Sequence, residues 1–279
     1  MKLLRKTTAA LADRCILRLL LLFICFSSRG LIAYAQDCSS ATNFYRNSIL
    51  ALKADATNPQ TGAESIRFGT GFIVSAKGYV LTAYHVVKAN KGWDVALSGS
   101  LGSTEAQSLN LTFIDADAKL DVALLQFKDT SRSWTPLRVG DPDTVVPGSK
   151  LCSAGFPAND KYQYEFEASD GSLGGKGGPD GRWTTQIPSN TGESGAPVFT
   201  IDGRVVALKY GGDSSLQNVN ELTPINFASR LLSVATVPVW QPPNPIPLPV
   251  PAPPTGPRTL FQSELITAIY EDSGPDIKL

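Results

Sequence analysis

The sequence predicts an all-β fold, a barrel or a sandwich, between Phe68 and about Val237. Three observations carry this. Short β-rich runs recur: Gly71–Val74, Tyr79–Thr82, Asp94–Leu97, Leu109–Ile114, Val122–Phe127, Leu151–Phe156, Tyr162–Ala168, Ala196–Ile201 and Arg204–Tyr210. Turn residues separate them, as in Lys77-Gly78 and Asp202-Gly203, and strands at this spacing build barrels and sandwiches, not strand–helix–strand units. Asp-Gly between two apolar runs is in addition a strong hairpin signal, joining Ala196–Ile201 to Arg204–Tyr210.

Taken in chain order, residues 1–35 read as an export signal. Lys2, Arg5, Lys6, Arg14 and Arg18 make a basic stretch, the apolar run Leu19–Phe26 follows, and Ala33-Tyr34-Ala35 offers the small-x-small pattern of a cleavage site. The run falls short of the roughly 20 apolar residues that cross a bilayer. The alternative is an uncleaved anchor; we expect cleavage after Ala35, a chain beginning at Gln36, no stable membrane anchor, and a periplasmic or secreted location. Beyond this segment 19 basic and 24 acidic residues remain with no basic cluster, so nothing points to a nucleic-acid partner. The residues that follow are polar and mixed, and Asn43–Ala54 has apolar spacing that predicts a short helix. Asp170–Arg182 is glycine-rich and is expected to be a mobile loop. From 238 to 257 ten prolines make a polyproline-type linker, a spacer or else a contact site within the chain or for a partner. Residues 258–279 hold one candidate helix, Leu260–Tyr270.

Cysteine and histidine usage bounds the chemistry. Cys15 and Cys25 lie in the export segment, leaving Cys38 and Cys152. In an oxidising compartment that pair is a candidate disulfide, the alternative being two buried thiols. One histidine and no Cys-x-x-Cys leave no basis for a zinc site, and no cofactor is expected.

The reactive candidates are a serine, a histidine and an aspartate. Ser194 stands in Thr191-Gly192-Glu193-Ser194-Gly195-Ala196-Pro197. Acyl transfer needs an exposed hydroxyl with backbone amides beside it for the developing oxyanion. Gly192 lets the chain turn without a Cβ, so that the amides of Gly192 and Ser194 can face one hole. His85 is the sole histidine, delivered at the end of the apolar run Tyr79–Thr82, and imidazole with its ordinary pKa near 6.5 can take and return a proton near neutrality. Asp115, Asp117 and Asp121 compete as the acid that orients it. Asp121 is preferred because it directly precedes Val122-Ala123-Leu124-Leu125, where a core strand would hold it rigidly.

With these residues in place a resemblance emerges. Gly69-Thr70-Gly71-Phe72-Ile73-Val74 and Gly78-Tyr79-Val80-Leu81-Thr82-Ala83-Tyr84-His85-Val86-Val87 resemble the first half of a trypsin-like protease of the HtrA/Deg type. Asp121–Leu125 resembles that family's acid segment, and Gln186–Pro197 with Asp202–Val206 its nucleophile segment and following hairpin. The order His, Asp, Ser is the chymotrypsin order. The resemblance covers roughly residues 65–230. It implies two six-stranded antiparallel barrels of the chymotrypsin type with short peripheral helices, and a protease domain over 36–237. His85 would be the base, Asp121 its orienting acid, Ser194 the nucleophile, and the Gly192 and Ser194 amides the oxyanion hole. Lys209-Tyr210-Gly211 would pair as a strand with a protein or peptide substrate.

Departures from the family bear on activation and specificity. Glu193 replaces a smaller acid or amide and Ala196 a frequent glycine. Activation by a new N-terminus pairing with an acid at 193 is not expected, because Gln36 lies well upstream of the first strand. Residues 258–279 are too few for a PDZ domain. Pro188, six residues before the nucleophile, is the position that would floor the pocket for the residue before the scissile bond. It carries no acid for Lys or Arg, and no second histidine exists for glutamate, so a small or medium apolar side chain is expected there. The alternative to a protease is a binding module of the same fold with its triad masked.

Overall fold

The computed structural model describes residues 38–212 and 219–237. Strands β1 (Ile49–Thr57), β2 (Glu64–Ile73), β3 (Tyr79–Ala83), β4 (Asp94–Leu101), β5 (Ser108–Asp117) and β6 (Val122–Phe127) close a six-stranded antiparallel barrel in the order β1-β2-β3-β6-β5-β4. A two-residue strand, β7 (Arg138–Val139), leads into a second group: β8 (Lys150–Gly155), β9 (Glu167–Gly175), β10 (Trp183–Thr185), β11 (Pro197–Thr200), β12 (Arg204–Gly212) and β13 (Asn220–Pro224). These run β11-β8-β9-β10-β13-β12, and pairing of β12 with β11 closes the second ring of six, with β7 added parallel to β12. Three short α-helices lie among the strands in the described residues: α1 (Cys38–Tyr45), α2 (Tyr84–Val87) and α3 (Ser229–Val234). This is the two-barrel, chymotrypsin-type all-β fold that the sequence implied. No helix among the described residues is long and apolar enough to cross a membrane.

The core explains the sequence pattern. On β6, Ala123, Leu125 and Phe127 pack with the first barrel's interior, while Val122 and Leu124 join a cluster that also takes Cys152, Phe156, Phe199, Val205 and Leu208 from the second group. A strand buried on both faces reads as a continuous apolar run. The same is true of β1, where Leu50, Leu52 and Ala54 face the first interior and Ile49 and Ala51 the shared cluster. That double burial removes the period-2 signal and is why Asn43–Ala54 read as a helix; in the structure the helix is α1, and Ile49 begins a strand. Two further expectations are corrected. Tyr162–Phe166 is loop, with Tyr162 and Tyr164 exposed. The first part of the glycine-rich segment, Asp170–Gly175, is instead the second half of strand β9, paired with β8 from Lys150↔Ser172 to Gly155↔Glu167, while 176–182 stays outside the strands. The tail readings, the linker at 238–257 and the helix Leu260–Tyr270, lie outside the described residues, as does the export segment.

Cys38 and Cys152 are joined in a disulfide that ties α1 to β8, with a Cα–Cα separation of 5.4 Å. Asp202-Gly203 forms the β11–β12 hairpin, as its dipeptide signals.

Candidate active site

Pairing of β3 with β6 sets Ala83 opposite Val122, so the residues just past β3 lie beside those just before β6. His85 stands on one side, in α2, and Asp121 on the other, with φ +57°. Asp and Asn tolerate that left-handed region better than other residues bearing a Cβ. Aspartate therefore suits this position by backbone as well as by side chain. Its Oδ1 accepts the His85 backbone N–H at 2.9 Å and its Oδ2 the imidazole Nδ1–H at 2.7 Å. Its carbonyl accepts the Tyr84 N–H at 3.2 Å. Asp121 is 7% exposed, whereas the His85 side chain keeps 38%. The acid is sequestered while the ring stays reachable, and holding the proton on Nδ1 leaves Nε2 as the accepting nitrogen.

The two rival carboxylates go elsewhere. Asp115 pairs with Arg230, whose hydrogen bond, with that of the Ala116 N–H, holds its carboxyl below the usual range. Asp117 closes a turn by accepting the N–H groups of Lys119 and Leu120.

Ser194 lies in the loop before β11. That loop folds on itself: the Glu193 N–H donates to the Asn190 carbonyl, the Ala196 N–H to the Glu193 carbonyl, and the Asn190 N–H to Glu193 Oε2 at 2.7 Å. The first barrel grips it through Thr70 on β2, which is fully buried. The Thr70 N–H donates to the Ser194 carbonyl at 2.9 Å, and its hydroxyl donates to the Gly192 carbonyl at 2.9 Å while accepting the Phe156 N–H. Gly192 and Gly195 have φ +85° and +84°. A Cβ on Gly192 would stand 2.6 Å from the Phe156 carbonyl oxygen, and one on Gly195 2.4 Å from that of Thr70, so only glycine fits either place. After these bonds, the N–H groups of Gly192 and Ser194 have no partner among the described residues. They are the two amides that the sequence assigned to an oxyanion.

Tyr210, on β12, stands between the two reactive candidates. Its carbonyl accepts the Ser194 hydroxyl at 3.2 Å, and its ring meets the His85 ring edge-on at 5.9 Å. The Ser194 hydroxyl is thus turned to that carbonyl and makes no hydrogen bond to His85 in this arrangement. Arg182, only 7% exposed, lays its guanidinium 3.9 Å over the Tyr210 ring. Lys209 takes a place different from a substrate strand: its own N–H and C=O are spent on Ala196 and Gly195, and its side chain is buried on Glu193. Gly211 pairs with Glu221 on β13. Pro188 is exposed, next to buried Ile187, whose carbonyl accepts the Asn220 amide.

Sequence reasoning passed over Thr70 and Arg182. Thr70 had a signal, since glycines flanking a strand residue mark close backbone approach. Arg182 sits at the end of the glycine-rich segment and had none.

Known proteins resemble this chain over the same region. A family model described as "Trypsin-like peptidase domain" matches residues 69–208. A "Probable periplasmic serine endoprotease DegP-like" of Ectopseudomonas mendocina is 31% identical over 169 residues, covering 59% of this chain and 33% of that protein. Proteins of the same description from Marinomonas sp. and Brucella suis biovar 1 are 30% and 27% identical, covering 54% and 56% of this chain and 30% of each relative. The chain thus spans about a third of the length of these curated relatives.

Proposed function

The chain belongs to the trypsin-like peptidase family, and we propose that it is a serine endopeptidase with Ser194 as nucleophile, His85 as general base and Asp121 as the orienting acid. The observation that carries the reading is the two-point grip of Asp121 on His85, at 2.7 and 2.9 Å. A surface histidine has no need of a buried carboxylate spending both oxygens on it.

The chemistry follows from the groups present. The Ser194 hydroxyl turns from the Tyr210 carbonyl to His85 Nε2. Catalytic hydrogen bonds often tighten only once substrate binds. Oγ then attacks the scissile carbonyl carbon and its proton passes to Nε2. The carbonyl oxygen, now negative, accepts from the Gly192 and Ser194 N–H groups. As the C–N bond breaks, the imidazolium, stabilised by Asp121, gives its proton to the leaving amine. An acyl-enzyme remains on Ser194, and water activated by the same imidazole releases it.

Substrates on this reading are unfolded or exported proteins in the periplasm or outside the cell, after removal of residues 1–35. The peptidase domain is 36–237, followed by a proline-rich spacer over 238–257 and a tail over 258–279. An extended substrate lies along Tyr210-Gly211, with a small or medium apolar side chain near Pro188. The test is digestion of a reduced, unfolded protein by the chain from Gln36, with Ser194→Ala alongside and the cut sites read by mass spectrometry. Internal cuts after small or medium apolar residues, absent with Ser194→Ala, are expected. Cuts that persist in Ser194→Ala, or none by the folded parent, would remove the proposal.

A further inference from the structure

Behind Ser194 lies an ion pair that the chemistry above does not use. The Lys209 ammonium donates to Glu193 Oε1 at 2.8 Å and to the Ser169 hydroxyl at 3.1 Å. The two charged side chains are 1% and 3% exposed. Burying two charges is costly, and apolar residues of similar volume often replace such a pair with no loss of stability. Stability is therefore a poor account of why it is here.

Its connections offer a better one. Glu193 precedes the nucleophile, and its other carboxylate oxygen accepts the Asn190 N–H at 2.7 Å. The backbone of the same Lys209 accepts the Gly195 N–H and donates to the Ala196 carbonyl, both at 2.8 Å. One residue thus holds the loop on both sides of Ser194: through its side chain at 190–193 and through its backbone at 195–196. Within and just after the first grip stand the amides of Gly192 and Ser194, unpartnered among the described residues.

We propose that Lys209 is a positioning residue: through Glu193 its ammonium fixes the peptide planes of 190–195, so that the oxyanion hole forms on folding with a cation supplied by the chain's own β12. This rests on the peptidase reading above. The device needs no cleavage to create a charged partner for Glu193. The charged groups around the ammonium are Glu193 from the loop and Glu167 from β9. Burial pulls the Lys209 pKa down, and those two carboxylates oppose the shift.

The test replaces the pair by an apolar one, Glu193→Leu with Lys209→Met, avoiding the stranded charge that either change alone would leave. A cooperative melt near that of the parent is expected, with KM for a peptide ester within about twofold and kcat lower by about 10²-fold, the order lost with one oxyanion donor. A peptide boronate, whose oxygen enters the same hole, should lose affinity in parallel, and amide hydrogen exchange at 192–195 should quicken. A merely structural pair would move the melt and leave kcat and boronate affinity alone; that outcome, in a folded variant, overturns the proposal. If the double variant does not fold, the parent decides: its kcat must fall at alkaline pH, below the unfolding limit, as Lys209 loses its proton, and a flat kcat to that limit overturns the proposal. A parent that never modifies Ser194 would remove the peptidase reading instead. The lock would then stand or fall on hydrogen exchange, unchanged protection of 192–195 in the double variant refuting it.

Discussion

Substituting Asp121 by Asn and by Ala separates what its carboxylate does for the chemistry from what it does for the fold. Both changes remove the negative charge facing His85 Nδ1. Asn keeps an oxygen for the His85 backbone N–H and tolerates φ +57°. Ala does neither. Left-handed backbone at a residue with a Cβ costs about 1–2 kcal/mol, and the His85 N–H loses its acceptor in a part-buried place, at about 1–3 kcal/mol. Asp121→Ala should therefore unfold about 2–5 kcal/mol more easily than the parent, and Asp121→Asn within about 1 kcal/mol of it. On chemistry the two should be alike. An amide in place of the carboxylate favours the wrong imidazole tautomer, and loss of the acid in such a triad costs kcat about 10⁴-fold. Urea unfolding gives the first quantity, and the rate at which a fluorophosphonate modifies Ser194 gives the second. Equal stability of the two variants would refute the backbone argument. A labelling rate for Asp121→Asn within about tenfold of the parent would refute the role of the acid.

Two further outcomes follow from the same geometry. The disulfide closes a loop with a sequence separation of 114, for which the chain-entropy model assigns about 4–5 kcal/mol, so Cys38→Ser with Cys152→Ser should lose roughly that much in urea unfolding under non-reducing conditions. The buried Lys209 predicts opposite trends at alkaline pH. Its folded pKa lies below the ordinary lysine value, with burial the largest cause, so between the two values the unfolded chain binds more protons than the native one. Stability then rises with pH through that interval, while kcat falls as the Glu193 pair is lost. Calorimetry and initial rates on one set of buffers check both, and rates that rise together with the melting temperature would contradict the pairing.

Particular residues show how far the sequence could be read. Val122–Phe127 is β6 to the residue, and Asp202-Gly203 makes the β11–β12 hairpin, because an apolar run bounded by turn residues and a dipeptide suited to tight turns are local signals. β1 was hidden because strand periodicity assumes one wet face, and Ile49–Leu52 has none. β9 was hidden because Gly171 lies against the backbone of Gln186 and Ile187, where a side chain would collide; glycine there reads as loop but serves close packing. At the candidate site, it was legible that Asp121 is the one of three aspartates to meet His85, since only it directly precedes a core strand. The partner of Glu193 was not legible. Lys209 is 16 residues away, in a run read as substrate-facing, and nothing local to the sequence says that its side chain meets Glu193 while the next residue, Tyr210, faces His85 across the strand.

The central claim is that Ser194 is a nucleophile activated by His85, and its most direct measurement is fluorophosphonate labelling of the folded chain from Gln36, followed by mapping of the modified residue. The account predicts one adduct, on Ser194, abolished by Ser194→Ala and slowed by orders of magnitude in His85→Ala, with both variants melting as the parent does. A folded parent that takes no label, or one labelled as fast without His85 as with it, would contradict the account.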